Sequence, residues 1–232
     1  ALEQLVNQLN DKIKELNVMD NKKLVMWLNI ASILLIFPFI AIFMSLSYLS
    51  VGSDTFTTTN GSLIAGLIIL VLLIFIHELI HGSFFKLFNK EGKVKYGFKQ
   101  GMAYATSPGS IYPKKQFYIS LLAPFVIITL ALYLCMIASL VSPYFFILLA
   151  SLHGSACVGD FYMTIKLMRE DKDVLVEDTE TGFSLYKKEV DAQWSLFKLL
   201  RLILAFIMIM LVSGIEAFQK EGLPTSFLLK KV

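Results

Sequence analysis

The sequence predicts an all-α polytopic membrane protein with about five transmembrane helices and a small cytoplasmic β-hairpin between the second and third. Of its 232 residues, 56% are hydrophobic and only 17% are charged, whereas charged residues approach a quarter of an ordinary soluble domain. Five apolar segments are each close to the roughly 20 residues that cross a bilayer. The net charge of +3 is too small to indicate nucleic-acid binding.

The five predicted spans are residues 24–49, 63–88, 117–140, 144–165 and 196–215. The third and fourth are joined by a very short connection, so we expect them to form a tight antiparallel hairpin. The fifth span is weaker, because Lys198 and Arg201 lie in its first turns and would have to extend to the interface. No small-residue cleavage site follows the first span, so we expect it to be retained rather than removed as a signal peptide.

Lysine and arginine cluster before the first span, between the second and third, and between the fourth and fifth, whereas residues 51–62 contain none. The positive-inside rule therefore predicts a multi-pass protein of the cell membrane with its N-terminus and both basic loops in the cytoplasm. Three lysines in the C-terminal tail run against an outside location, so an interfacial fifth segment remains an alternative. The richness in Ile, Lys, Leu and Asn indicates a bacterial protein.

The regions outside the spans predict less regular structure. Residues 1–23 alternate charged and aliphatic side chains and predict a short amphipathic segment, expected to be a helix on the membrane surface or on the protein. Alternation in KVKYGFK and MAYATS on either side of a turn predicts a β-hairpin over 93–106. Residues 170–192 predict a small strand pair with a turn near Thr181 and Gly182. The remaining parts are a transmembrane domain over 24–218 and a tail over 219–232.

The second span ends in the stretch HELIHG, which contains His77, Glu78 and His81. The two histidines are four residues apart, so they share one face of a helix and can bind one Zn²⁺, while the glutamate accepts a proton from a metal-bound water. A single histidine in a membrane helix more often bonds to backbone carbonyls. Three ionisable groups within five residues are each costly to bury in lipid, which favours a metal site here.

A hydrolytic zinc site needs a third protein ligand, and the sequence favours Asp160 in the fourth span. His81 lies five residues before Lys86, and Asp160 six residues before Lys166, where the two spans reach the cytoplasmic face. At about 1.5 Å per residue, the imidazole and the carboxylate should therefore lie at similar depth.

His153 and Cys157 are alternative ligands, because they share a helical face with Asp160. A thiolate would reduce the acidity of the metal, so Cys157 is the least favoured. His153 would reach the metal only if Gly154 or Gly159 broke the helix. If His153 is not a ligand, we expect it either to donate a hydrogen bond to the oxyanion or to bond to a neighbouring span.

With HELIHG in one span and an aspartate near the inner end of a later one, the chain resembles the intramembrane zinc metalloproteases of the site-2 protease type. It resembles more closely a small bacterial family of membrane zincin peptidases, and the likeness covers residues 61 to about 167. This resemblance implies that His77, His81 and Asp160 bind zinc and that Glu78 is catalytic. SLLAP at 120–124 is similar to the proline-containing segment that opens the following span in site-2 proteases.

Two features depart from the site-2 protease pattern. That pattern has an Asn and a Pro ahead of an Asp-Gly pair, whereas this chain has His153, no proline, and Gly159 before Asp160. It also has no PDZ-like domain. The metal-binding motif is therefore better supported than the substrate-handling one.

Together these observations predict a metalloprotease-like transmembrane domain that cleaves a membrane protein or peptide in the lipid bilayer, with Zn²⁺ bound by His77, His81 and Asp160. Glu78 and His153 are the expected catalytic residues, and the oligomeric state is left open. An edge of the 93–106 hairpin would hold the unwound substrate as an added strand, so replacing Tyr104 with proline should weaken cleavage. The alternatives are a non-catalytic metal-binding scaffold or immunity-type protein and, less favoured, a metal transporter.

Overall fold

The computed structural model describes residues 12–52, 63–99 and 102–187. These ranges contain helices and strands in the order β1 (Lys12–Asn17), α1 (Lys22–Val51), α2 (Leu63–Phe88), β2 (Lys95–Lys99), β3 (Met102–Thr106), β4 (Ile111–Pro113), α3 (Lys114–Ile137), α4 (Pro143–Ala156), α5 (Val158–Met168), β5 (Val174–Thr179) and β6 (Gly182–Lys187). The fold is therefore mixed helix and sheet, and the all-α expectation is wrong in this respect.

Three helices of the described ranges are long and apolar enough to cross a membrane: α1, residues 65–88 of α2, and α3. The pair formed by α4 and α5 would make a fourth, broken span. These helices are compatible with a membrane protein. The predicted fifth span at 196–215 lies outside the described residues.

The helices pack around a common apolar core. Helix α1 lies along α4, α2 packs on α3, and α3 also contacts α4 and α5. Large apolar side chains from all four long segments meet in this core, among them Phe43, Leu73, Tyr133 and Phe146. This packing brings the cytoplasm-predicted ends of α2 and α5 together.

The fourth predicted span is a broken helix rather than a regular one. Cys157 ends α4 with φ −70° and ψ 9°, and the axes of α4 and α5 differ by 48°. The break falls between the two glycines considered as possible break points. Gly154 serves packing instead, because a Cβ at this position would lie 3.2 Å from the Phe125 ring and 3.4 Å from the Phe39 ring.

The strands form two antiparallel sheets. The predicted hairpin is confirmed as β2 paired with β3, and the predicted strand pair is confirmed as β5 paired with β6. These two strands belong to a four-stranded sheet of order β1-β6-β5-β4, which the sequence did not predict. A second apolar core joins this sheet to the helix ends and contains Phe85, Tyr112, Phe117, Leu167 and Phe183.

The helix expected within residues 1–23 is wrong for Lys12–Asn17, which form β1. This strand pairs with β6 along nearly its whole length. The two apolar residues of KIKELN, Ile13 and Leu16, are three apart and do not alternate as in a regular strand, so the edge of β6, which supplies backbone hydrogen-bond partners, accounts for the strand. Residues 1–11 lie outside the described ranges.

A buried carboxylate ties the β2–β3 hairpin to the four-stranded sheet. Asp178 in β5 is 7% exposed and accepts hydrogen bonds from the Thr106 hydroxyl at 2.7 Å and from the Ser107 backbone N–H at 2.6 Å. The Ser107 hydroxyl donates to Ser110 and accepts from Tyr112. The end of β3 is therefore held by a network of polar side chains.

Burial raises the pKa of Asp178 from 3.8 to about 7, against the lowering effect of its two hydrogen bonds. Since the folded state holds this proton more tightly than the unfolded state, Asp178 should lower the free energy of unfolding as the pH rises from 3.8 to about 7. We expect Asp178→Asn to flatten this dependence. Thermal unfolding in detergent at about pH 5 and about pH 8 measures it, with the exposed Asp173→Asn as control; an unchanged profile in Asp178→Asn would contradict the assignment.

Candidate metal centre

Three side chains from two separate helices converge in the C-terminal half of α2. His77 Nε2 and His81 Nε2 are 3.0 Å apart. One carboxylate oxygen of Asp160 lies 3.3 Å from His77 Nε2, and the other lies 3.4 Å from His81 Nε2. The structure therefore brings together all three residues predicted to bind the metal.

The separations fit a single tetrahedral ion. With metal–ligand bonds of about 2.0–2.2 Å, nitrogen and oxygen ligands of tetrahedral zinc lie roughly 3.3–3.5 Å apart, close to the distances among His77, His81 and Asp160. Two imidazoles and a carboxylate are also the donor set of hydrolytic zinc sites, which keep a fourth position open. The three residues thus fit Zn²⁺ both in spacing and in chemistry.

The break after α4 explains how Asp160 reaches the histidines. Because the helix restarts at Val158, Asp160 lies in the first turn of α5. The positive end of a helix dipole stabilises a carboxylate there. This position favours the charged form of Asp160, whose side chain is only 13% exposed.

The second ring nitrogen of His81 is held by a backbone carbonyl. His81 Nδ1 lies 2.8 Å from the oxygen of Ser120 in α3. That oxygen is available because Pro124 stands four residues later and has no N–H to complete the helical hydrogen bond. Donation from Nδ1 leaves the Nε2 lone pair of His81 facing the cluster, as a metal ligand requires. The proline of SLLAP thus acts through Ser120 on His81.

Replacing Pro124 with alanine should weaken zinc binding. Alanine restores an N–H that competes with His81 for the Ser120 oxygen, and the loss of an outer-shell partner typically lowers metal affinity about 10- to 100-fold. Competition with a chromogenic zinc chelator measures the affinity. Ala123→Gly, which changes the neighbouring residue and leaves Pro124 in place, is the control; equal affinities of Pro124→Ala and wild type would contradict this role.

Glu78 lies beside His77, His81 and Asp160, and its carboxylate is only partly hydrogen-bonded. Its Oε2 is buried and has no hydrogen-bond partner among the described residues. The backbone N–H of Ala105 in β3 interacts with the same carboxylate. A buried carboxylate oxygen without a partner is costly in a folded protein, and it is accounted for if Glu78 holds a reacting water.

Gly82, the last residue of HELIHG, lies against the Tyr96 side chain of β2. A Cβ at Gly82 would collide with the Tyr96 hydroxyl. Because this contact is with the far end of an exposed side chain, a larger residue at position 82 would displace the Tyr96 ring.

His153 lies behind His77 rather than among the three converging residues. Its Nε2 is 3.1 Å from His77 Nδ1, the ring nitrogen opposite the one that faces His81 and Asp160. Cys157 lies on the same side, with its Sγ 3.9 Å from His77 Nδ1. The roles expected for His153, as a ligand of the same ion or as an oxyanion donor, stay predictions, and the geometry places it as a neighbour of His77.

Sequence reasoning missed two contributors to the site, Ser120 and Ala105. Both act through backbone atoms, so the identity of the side chain carries no signal for either. The proline in SLLAP was the available sign for Ser120, because a proline inside a helix always leaves one carbonyl unpaired. No comparable sign exists for Ala105.

Comparison with known proteins gives one family. A family model described as "Putative zincin peptidase" matches residues 70–175. The match supports a zincin-like family. A zincin-like family suggests metallopeptidase activity and implies zinc as the metal. The matched region contains the whole cluster and the hairpin, and no curated protein or solved structure gives a significant match.

Proposed function

We propose that this protein is an intramembrane zinc metalloprotease that hydrolyses a peptide bond in or near the membrane. The observation that carries the proposal is the convergence of His77, His81 and Asp160 from two helices beside the half-buried Glu78, whose Oε2 is buried without a hydrogen-bond partner among the described residues. The match to zincin peptidases supports the chemistry, and the long apolar helices support the location.

The site residues have separate roles in the proposed hydrolysis. Zinc held by His77, His81 and Asp160 would polarise the scissile carbonyl and lower the pKa of a water molecule. Glu78 accepts the proton of the attacking water at Oε2 and returns it to the leaving amine nitrogen. Ser120 fixes the orientation of His81, so the ligand lone pairs do not have to be reoriented during turnover.

The substrate could bind as an added strand at the outer edge of β3, the edge away from β2. Among the described residues no strand pairs with β3 on the side away from β2, and the Ala105 N–H on that side interacts with Glu78. Successive residues of a strand direct their N–H groups to opposite edges, so Ala103 also faces outward. An unwound substrate segment added at this edge would lie next to the catalytic glutamate.

Because N–H groups alternate in direction along β3, Ala103 rather than Tyr104 is the residue to replace in a test of strand addition. Tyr104 lies between Ala103 and Ala105 and pairs with Gly97 of β2, so its N–H faces the hairpin partner. Proline at Tyr104 would break the hairpin itself rather than the outer edge. Ala103 is the appropriate position.

Replacing Ala103 with proline should lower cleavage roughly 2- to 12-fold, the value of one hydrogen bond of about 0.5–1.5 kcal/mol, without releasing zinc. Ala103→Gly keeps the amide and is the control. Rates of cleavage and zinc content are measured on both variants. Unchanged turnover in Ala103→Pro would exclude strand addition at this edge.

A reconstituted cleavage assay tests the proposed function. The full chain is placed in liposomes with a peptide containing one transmembrane helix, and the products are identified by mass spectrometry. We expect cleavage within or next to the apolar segment, loss of cleavage after removal of metal by a chelator, and recovery when Zn²⁺ is restored. Cleavage that persists in the metal-free protein would contradict the proposal.

A further inference from the structure

A second group of ligand atoms lies on the far side of the His77 ring, outside the zinc centre. His77 Nδ1 is 3.1 Å from His153 Nε2, and Cys157 Sγ is 3.9 Å from the former and 3.8 Å from the latter. His153 is 4% exposed and Cys157 is 1% exposed. The proposed hydrolysis makes no use of Cys157.

These distances are those of a tetrahedral metal site. With a metal–sulfur bond of about 2.3 Å and metal–nitrogen bonds of about 2.0–2.1 Å, tetrahedral ligand atoms lie roughly 3.3–3.4 Å apart for two nitrogens and roughly 3.6 Å apart for sulfur and nitrogen. The three observed separations are each within a few tenths of an ångström of these values. One ion could therefore be bound by all three atoms with little movement.

The unpartnered ring nitrogen of His153 gives an independent indication. Its Nδ1 is buried and has no hydrogen-bond partner among the described residues. In the tautomer with the proton on Nδ1, the lone pair of Nε2 faces His77 and Cys157, as in a metal ligand. A buried ring nitrogen without a partner is uncommon in a histidine that serves only packing.

We propose that His77 Nδ1, His153 Nε2 and Cys157 Sγ form a second cation site that prefers thiophilic ions such as Cd²⁺. Thiolate ligands select soft metals. Without an ion, the Cys157 thiol donates to the His153 backbone oxygen at 3.2 Å; on binding, the sulfur–metal bond forms and the thiol proton is released to buffer.

The two sites share His77 through different nitrogens. A neutral imidazole has one nitrogen with a free lone pair, so His77 serves one site at a time. A soft ion bound through Cys157 would thereby remove a ligand from the zinc centre. The site would make the protein sensitive to thiophilic metals, and this sensitivity does not depend on what the zinc centre catalyses.

Cadmium titration of the metal-free, full-length protein in detergent tests the proposal. We expect a thiolate-to-cadmium charge-transfer band in the wild type, the same band in Cys135→Ser, and no band in Cys157→Ser. His153→Phe should bind Cd²⁺ more than about tenfold more weakly, since even an outer-shell partner is typically worth about 10- to 100-fold in affinity.

Asp160→Ala separates this site from the zinc centre, and it should keep the cadmium band. Loss of the band in Asp160→Ala would mean that the thiolate binds an ion in the zinc centre, and would overturn the proposal. A wild-type protein without a band, or a Cys157→Ser variant with one, would overturn it as well. Zinc binding by Cys157→Ser, or by Cys157→Ala if the serine variant unfolds, shows that the chain is still folded.

Discussion

Replacing Glu78 with glutamine is expected to abolish peptide-bond cleavage while zinc stays bound. Glutamine has nearly the shape of glutamate but cannot accept the proton of the attacking water. General base catalysis contributes roughly 10²- to 10⁴-fold to the rate of hydrolysis, so the turnover of Glu78→Gln should fall at least about 10²-fold. The proposed metal ligands His77, His81 and Asp160 are unchanged in this variant, and Glu78 Oε2 has no hydrogen-bond partner among the described residues that the substitution would remove.

Cleavage rate and zinc content are measured on the same preparation of Glu78→Gln. Glu91→Gln is the matched control, because it makes the same chemical change at an exposed position and should behave as wild type. If Glu78→Gln retained wild-type turnover, the glutamate would not be the base. If neither the wild-type protein nor Glu78→Gln cleaved peptides although both bound zinc, the result would fit a non-catalytic metal-binding scaffold instead.

Replacing Asp160 with alanine is expected to remove zinc and cleavage together. Asp160 supplies the only carboxylate among the three proposed ligands, and its oxygens lie 3.3 Å from His77 Nε2 and 3.4 Å from His81 Nε2. Without it, two imidazoles alone would have to bind the ion, and the affinity should fall by more than the roughly 10- to 100-fold typical of an outer-shell change.

This comparison is made in a Cys157→Ser background, which removes the sulfur ligand on the other side of His77. Zinc affinity and cleavage are measured with and without Asp160→Ala. Asp173→Ala, an exposed aspartate on the same cytoplasm-predicted side, is the control and should bind zinc normally. Retention of tight zinc binding after Asp160→Ala would show that another residue completes the centre.

The convergence of His77, His81 and Asp160 could be predicted from the sequence because it follows from local periodicity. Two histidines four residues apart must share a helical face. The common depth of His81 and Asp160 follows from counting residues to the lysines that end each span. The β2–β3 and β5–β6 hairpins were also predictable, because alternation and turn residues specify a hairpin within a short stretch of chain.

The features that were missed depend on contacts between distant parts of the chain. Lys12–Asn17 become a strand only because β6 presents an edge to them, and that pairing joins residues from opposite ends of the described chain. The break at Cys157 could not be placed, since the residue carries no breaking signal of its own. The placement of His153 behind His77 follows from this break, so the sequence left its role among several alternatives.

X-ray absorption at the zinc edge tests the central claim most directly. The wild-type protein is loaded with one equivalent of Zn²⁺, which should enter the centre of His77, His81 and Asp160, because binding there requires no thiol to lose its proton. We predict two imidazole ligands and a shell completed by oxygen alone. A zinc shell that contained sulfur, or one with a number of imidazoles other than two, would contradict the assignment of His77, His81 and Asp160 as the ligands of a single ion.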